Sequence, residues 1–146
     1  MRKLFLAASA PAVLLLLAAA APRTGDVEVR IEKLRNAKGL VHVCLTASPA
    51  HFPECAADPQ ARKLSVPAAK AATVTMAGVR PGAYALSIFH DENGNTKFDT
   101  FLKVPKEGFG FSRNPVIRFG APKFSQVRFE VGEGIARETV QMQYLL

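Results

Sequence analysis

The sequence has few of the residues, and none of the motifs, that mark the common enzyme classes. It contains no Trp, three His and two Cys residues. It also has no G-x-S-x-G nucleophile motif, no H-E-x-x-H zinc motif and no glycine-rich phosphate loop. The candidate cluster of titratable residues is His90, Asp91 and Glu107, types that a hydrolase can use as acid and base. We therefore expect a non-catalytic protein and keep a hydrolase based on these three residues as the last alternative.

The chain lacks a run of basic residues, although its formal net charge is +7. The basic residues are scattered among acids, and the pair Arg62-Lys63 is their main cluster. Without Arg2 and Lys3, the 19 basic residues fall to 17 against 12 acidic residues, a net charge of +5. This balance predicts a mildly basic, solvated surface and no nucleic-acid partner.

No apolar run is long enough to span a bilayer. The longest, Leu4–Leu17, has roughly 14 residues against the ~20 that a membrane helix needs. It follows a basic start and precedes four alanines, which predicts a signal peptide of residues 1–20, or 1–21, cleaved after Ala20 or Ala21. No Cys directly follows this apolar run, so we expect no lipoprotein anchor. The prediction is a periplasmic or secreted protein, not an integral membrane protein, with one domain over residues 21–146.

The two cysteines fit an exported protein. In an oxidising compartment Cys44 and Cys55 are expected to form a disulfide. Closing so short a loop stabilises the fold by roughly 2.5–3 kcal/mol in the chain-entropy estimate. The alternative is a zinc site in which His42 and His51 join the two thiolates, but their spacing differs from that of zinc fingers.

Apolar and polar residues alternate along much of the chain, which predicts half-buried β-strands. About seven strands separated by turns indicate an all-β, immunoglobulin-like antiparallel β-sandwich. Asn36–Gly39 is typical of a hairpin between the first two strands, and Pro81-Gly82 of a type II turn. The clearest strand patterns lie at residues 27–31, 41–45, 73–76, 83–89, 127–131 and 140–144.

A polar segment, residues 91–99, follows the strand at 83–89. Its oxygen donors are spaced as in a calcium loop: Asp91, Asn93, Asn95, Asp99 and the backbone carbonyl of Lys97. Two positions differ from that pattern, because the sixth is Thr96 instead of glycine and the twelfth is Leu102, which has no carboxylate. The segment predicts a weak calcium site, with a metal-free loop of Asx-turns as the alternative. Calcium is the one cofactor that the sequence suggests.

Residues 105–124 are rich in Phe, Gly and Pro. In an extended backbone Phe109 and Phe111 point to the same side, and with Arg113 they predict a ligand-binding surface for a glycan, peptide or other small ligand. The alternative is a long loop across the end of the sandwich whose aromatic rings complete the core.

Several motifs resemble known families. Val79–Tyr84 resembles the entry to a strand in transthyretin-like and carboxypeptidase-regulatory-like sandwiches. Phe89–Asn95, Phe98-Asp99, Val104–Ser112 and Gly120–Phe124 resemble the exported bacterial family called domain of unknown function 2141. The resemblance covers nearly all of residues 21–146 and implies an exported, transthyretin-like β-sandwich without an established activity.

The polar segment is also similar to the calcium loops of bacterial surface-adhesin B repeats at Asp91, Asn93, Asn95 and Asp99. Taken together, these patterns predict an exported non-catalytic binding or structural module. Its functional end is expected to comprise residues 91–99 and 105–124, and its partner to be an envelope protein, a glycan or another small ligand. The alternative is a calcium-stabilised envelope or adhesin-like module.

Overall fold

A computed structural model describes residues 20–146, within which the chain forms ten strands, one short α-helix and two single-turn 3-10 helices, Cys55–Ala57 and Ala68–Lys70. The predicted signal peptide, apart from residue 20, lies outside the described residues. No helix in the described part is long and apolar enough to cross a membrane. The elements are β1 (Gly25–Glu32), β2 (Leu40–Thr46), β3 (Arg62–Pro67), β4 (Thr73–Val79), β5 (Gly82–Asp91), β6 (Thr100–Phe101), β7 (Val104–Pro105), β8 (Gly108–Phe111), α1 (Phe124–Val127), β9 (Phe129–Val131) and β10 (Gly134–Gln141).

The strands form two main sheets, which confirms the all-β prediction. One sheet has the order β10-β1-β4, and the other has the order β3-β2-β5-β8, with β9 pairing to the start of β5. A separate hairpin joins β6 to β7. Most pairs are antiparallel, but β1 and β10 run parallel over their whole length, from Gly25 opposite Gly134 to Glu32 opposite Gln141. The chain between β1 and β10 forms β4 and the strands of the other sheet. A parallel pair requires a long crossover connection of this kind.

The predicted hairpin at Asn36–Gly39 is wrong. β1 pairs with β10 and β4, whereas β2 pairs with β3 and β5, so residues 33–39 cross from one sheet to the other. Both strands bury their apolar residues in the space between the sheets, and two strands that cover each other cannot share one sheet. Turn residues show that the chain reverses direction, but they do not show where the next strand pairs.

The main core lies between the two sheets. In β1 every second residue is buried, and β2 and the middle of β5 show the same alternation on the facing sheet. Full burial of one such aliphatic side chain stabilises the fold by about 1.5–3 kcal/mol. The fully buried residues at its centre include Val27, Val29, Val41, Leu45, Leu86 and Val140.

The outer face of the β3-β2-β5-β8 sheet carries a second apolar cluster. Ala85, Phe109, Phe111 and Val127 are buried there, with Phe52, Ile117 and Phe124 packed against them. The cover consists of two connections, residues 47–61 and 112–128, instead of another sheet. Because loops cover β8 on its outer side, all four of its residues are buried.

The predicted disulfide between Cys44 and Cys55 is confirmed, with a Cα–Cα distance of 6.2 Å. It ties the connection that carries Phe52 to the outer face of β2. Its two sulfurs are bonded to each other, so they are not thiolates that could join His42 and His51 at a zinc ion. The zinc alternative is therefore wrong.

Candidate functional site

The site begins at Asp91, the last residue of β5, whose side chain is fully buried. Its Oδ1 accepts a hydrogen bond from the N–H of Asn95 at 3.1 Å. Its Oδ2 accepts from the N–H of Thr96 at 2.8 Å and from Nε2 of His42 at 3.1 Å. Burial by itself would raise the pKa of Asp91, but the bonds from His42, Thr96 and Asn95 outweigh it, so the pKa is lowered. Asp91 is thus a buried carboxylate that organises the polar loop, residues 91–99.

Asn93 and Asn95 continue this organisation as Asx-turns. Asn93 Oδ1 accepts from the N–H of Asn95 at 3.0 Å, and Asn95 Oδ1 accepts from the N–H of Lys97 at 2.8 Å. Their Nδ2 groups both donate to Asp99 Oδ2, at 2.8 and 2.9 Å. The structure therefore places the four side chains that were predicted as oxygen ligands around one turn. Lys97 takes part through its backbone N–H, and the metal-binding role of its carbonyl stays a prediction.

Thr96 stands where a calcium loop usually has glycine, yet its backbone adopts the conformation that glycine would provide. Its φ is 61°, in the left-handed region, which costs a β-branched residue energy. The bond from its N–H to Asp91 holds this conformation. This bond therefore lets Thr96 hold a left-handed conformation at the sixth position of the loop.

Glu107, which the sequence offered only as a candidate acid or base with His90 and Asp91, lies beside the polar loop in the structure. The β6–β7 hairpin folds residues 100–105 back on themselves, and the N–H of Lys106 donates to the carbonyl of Asp99 at 2.9 Å. Glu107 then lies beside the loop, 4% exposed, and its Oε2 accepts from the N–H of Asp99 at 3.0 Å. Its Oε1 is buried and has no hydrogen-bond partner among the described residues.

The electrostatic surroundings of Glu107 are unfavourable to its charge. Burial is the main cause that raises its pKa, and the nearby charges of Asp91, Asp99 and Glu92 raise it further. The bond from the Asp99 N–H acts in the opposite direction without cancelling these effects. The contact depends on the β6–β7 hairpin, which brings residues 99 and 107 together.

His90 lies on the other side of β5. It is fully buried, and its Nε2 is 2.7 Å from the carbonyl of Lys38, an atom that only accepts, so Nε2 donates. Its Nδ1 then accepts from the hydroxyl of Tyr144 at 2.8 Å. Successive side chains of a strand face opposite ways, so His90 faces the inner side while Asp91 faces the outer side.

Phe109 and Phe111 point to the same side of β8, as their spacing predicts, but they are only 6% and 7% exposed. They form the middle of a row of aromatic rings on the outer face. Neighbouring centroids are 4.5 to 6.4 Å apart along Phe124, Phe52, Phe111, Phe109, Phe98, Phe89 and His42. The two rings thus complete a core, as the alternative reading expected, and their ligand-binding role stays a prediction that this burial does not support.

Arg113 follows the end of β8 that lies away from the polar loop. Its N–H donates to Oε2 of Glu138 at 3.3 Å. It borders an open depression of about 450 Å³ that Arg128 and Arg137 also line. The structure therefore does not bring Arg113 together with the other predicted site residues.

The two most exposed apolar residues near the loop lie at the tip of the β6–β7 hairpin, although Phe98 within the loop is also exposed. Phe101 is 60% exposed and Leu102 is 83% exposed. Leu102 and Lys103 form the two-residue turn, and both have positive φ, 49° and 66°. Such turns favour Asn-Gly, so no turn signal in the sequence marked this hairpin.

Residues 29–139 match the family described as "Uncharacterized protein conserved in bacteria (DUF2141)". The chain belongs to this family. The match covers most of β1 to β10 and includes both the polar loop and the β6–β7 hairpin. Comparisons with curated proteins and with solved structures gave no match.

Proposed function

We propose that this DUF2141 protein is an exported, non-catalytic binding module of the bacterial envelope that contacts a partner protein through the tip of its β6–β7 hairpin. The disulfide supports a periplasmic or secreted location, because such bonds persist in oxidising compartments. The short basic and apolar segment at residues 1–20 supports export as well.

A non-catalytic role is supported by the way two of the three candidate catalytic residues, His90 and Asp91, are used; the third, Glu107, has one oxygen without a partner among the described residues. His90 is fully buried, with both ring nitrogens engaged by Tyr144 and Lys38. Asp91 accepts three hydrogen bonds within the protein. A general base must reach the proton that it removes from a substrate, and these contacts leave neither side chain free to do so.

The observation that carries the binding role is the pairing of strain with exposure at Leu102. A leucine in the left-handed conformation costs roughly 1–3 kcal/mol, and an 83% exposed leucine recovers little of that by burial. Asn-Gly would make the same turn with less strain. A residue that is unfavourable in the isolated protein is expected where a partner covers it.

The tip has the chemistry of a protein contact. Phe101 and Leu102 supply apolar surface, and Lys97, Lys103 and Lys106, which are near them in sequence, are exposed and positively charged. An apolar centre with a charged rim is the usual arrangement in protein interfaces. The fitting partner is an envelope protein with an apolar pocket and an acidic rim.

The test is photo-crosslinking in the bacterium that encodes the chain, with a photoreactive phenylalanine at position 102. The matched control carries it at Val116, which is 82% exposed in residues 112–128, at the other end of the outer face. We expect a discrete protein adduct from position 102 and none from position 116. Equal adducts at both positions, or none at 102, would contradict the proposed contact.

A double variant separates contact from folding. Leu102→Asn combined with Lys103→Gly keeps the hairpin turn and relieves its strain. We expect an unchanged or higher melting temperature together with loss of the adduct, scored from a crosslinker placed at the neighbouring Phe101. Retention of the adduct would show that the leucine is not part of the interface.

A further inference from the structure

We propose that residues 112–128, the basic loop, dock the protein on a membrane surface that contains anionic phospholipid, with the side chains of Val116 and Phe119 inserted among the lipids. This inference goes beyond the hairpin contact and does not depend on it, because the basic loop lies at the other end of the outer face and its partner is a lipid surface.

The basic loop is closed at its ends and anchored on the sheet. Ser112 Oγ donates to the carbonyl of Val127 at 2.6 Å, which joins the two ends. Ile117 and Phe124 pack against the outer apolar cluster, so they hold the loop on the sheet. The side chains that the loop exposes are therefore presented on a fixed support.

Two apolar residues of the same loop point away from the protein. Val116 is 82% exposed, and Phe119 is 96% exposed, the highest value among the large hydrophobic residues in the described part of the chain. Both line one open depression of about 240 Å³. A single exposed apolar residue is common and needs no explanation, but two that border one depression form an apolar surface that a partner can cover.

The charge of the basic loop has one sign. From residue 108 to residue 129 the sequence has no Asp or Glu. Glu138 and Glu130 contact the first and the last of the four basic residues in this segment. Within residues 20–146 the two middle ones, Arg118 and Lys123, form no ion pair. All four are exposed: Arg113, Arg118, Lys123 and Arg128.

This combination fits a lipid surface. Anionic head groups offer a continuous layer of negative charge to the basic residues, and the acyl region beneath them accepts apolar side chains. Pro115 and Pro122 have no backbone N–H, so two positions of the loop have no donor to remove from water as they approach the bilayer.

The β6–β7 hairpin also exposes apolar side chains, but its charge differs. Residues 97–107 contain three basic and two acidic residues, a net charge of +1, whereas residues 108–129 contain four basic residues and no acidic one, a net charge of +4. The attraction of a membrane surface grows with each basic residue. Of the two exposed apolar tips, the basic loop is therefore the one that an anionic bilayer favours.

The absence of Trp from the sequence allows a direct test. In protein produced from the full chain, Phe119→Trp introduces a single indole at the proposed insertion point, where exposure makes the fold independent of the side chain. With vesicles of equal parts phosphatidylglycerol and phosphatidylcholine, we expect its emission to shift to the blue and to be quenched by lipids brominated on the acyl chain. Ile135→Trp, at an exposed position of β10, is the matched control and is expected to show neither change.

Sedimentation with the same vesicles measures how strongly the protein partitions onto them. Phe119→Ser is expected to weaken partitioning by about tenfold, because the insertion of an aromatic ring is lost. Arg118→Glu is expected to weaken it by at least about fivefold. Arg30→Glu makes the same charge change in β1, on the other sheet. Because charges act over only about 8 Å at physiological salt, this control is expected to keep its partitioning.

Vesicles of phosphatidylcholine alone test the need for negative charge, and we expect binding to them to be at least about tenfold weaker. Absence of binding to the anionic vesicles would overturn the proposal and leave the basic loop to a protein partner. Equal binding to both kinds of vesicle, or equal losses in the loop variants and their controls, would overturn it as well. Crosslinking at position 102 is a separate readout, so failure of either proposal is distinguishable from failure of the other.

Discussion

The outer face of the β3-β2-β5-β8 sheet is closed differently at its two ends. At the apolar end Phe111 packs against Phe52, whose ring also contacts Phe124. At the polar end Asp91 and Glu107 are buried among backbone N–H groups. The aromatic row joins the two ends. The apolar end is stabilised by removing surface from water, which depends little on pH or ions near neutrality, whereas the polar end depends on the charge of its carboxylates.

The difference shows what each kind of cover requires. Aromatic rings have no hydrogen bonds to satisfy, so a loop can cover them without placing any atom at a defined distance. A buried carboxylate needs a partner at every oxygen. Asp91 has its partners, whereas Oε1 of Glu107 has none among the described residues.

The largest expected effect is at the apolar end. Phe111→Ala removes a ring that is 7% exposed and leaves a cavity, which costs about 3–5 kcal/mol of unfolding free energy. Phe119→Ala is the control, because its ring is 96% exposed and its loss is expected to cost no more than about 0.5 kcal/mol. Urea unfolding of both variants measures the difference. Similar costs for the two would show that the outer cluster is not a core.

The next effect is at the polar end. Asp91→Ala removes the acceptor of three hydrogen bonds, and we expect a loss of about 2–3 kcal/mol, since part of the loop can turn to water. Asp26→Ala is the matched control: its Oδ1 accepts one bond from the N–H of Gly78 at an exposed site, which is worth about 1 kcal/mol or less. Equal losses in urea unfolding would remove the special role of Asp91.

The pH dependence of that loss has a definite sign. The pKa of Asp91 is lowered in the folded protein, so its contribution is present above the ordinary pKa of 3.8 and is lost as the pH falls through the folded value. The difference between Asp91→Ala and the unmodified protein is therefore expected to shrink in acid. A constant difference from neutral pH down to strong acid would contradict this account.

The smallest effect is expected at Glu107. Its pKa is raised in the folded protein, so its contribution is fully present below the ordinary value of 4.5 and is lost as the pH rises through the folded value. Glu107→Gln is expected to gain melting temperature relative to the unmodified protein between acid and neutral pH. A constant difference in melting temperature between the two proteins across that range would show that burial does not affect the ionisation of Glu107.

The strands and their buried faces were predictable because alternation depends on neighbouring residues. Val27, Val29 and Ile31 lie in the core as the pattern indicates. Strand partners were not predictable, because period two shows which face is buried and not which strand lies beside it. Hence the parallel β1–β10 pair and the separation of β1 from β2 were missed.

The site was predictable in part for the same reason. The spacing of four residues that are close in sequence was enough to predict that they lie around one turn: Asp91, Asn93, Asn95 and Asp99. Glu107 reaches the loop only because Leu102 and Lys103 form an uncommon tight turn. Phe109 and Phe111 looked available for binding because sequence does not show that residues 47–61 and 112–128 cover them.

The most direct measurement is amide hydrogen exchange of both ends, compared between the unmodified protein and Asp91→Ala. The N–H groups of Asn95, Thr96 and Asp99 report on the polar end, and those of Ser112 and Arg128, bonded to the carbonyls of Leu86 and Phe124, report on the apolar end. In Asp91→Ala we expect exchange at the polar end to become faster by about tenfold and exchange at the apolar end to stay unchanged. Equal acceleration at both ends, or none at the polar end, would contradict the account.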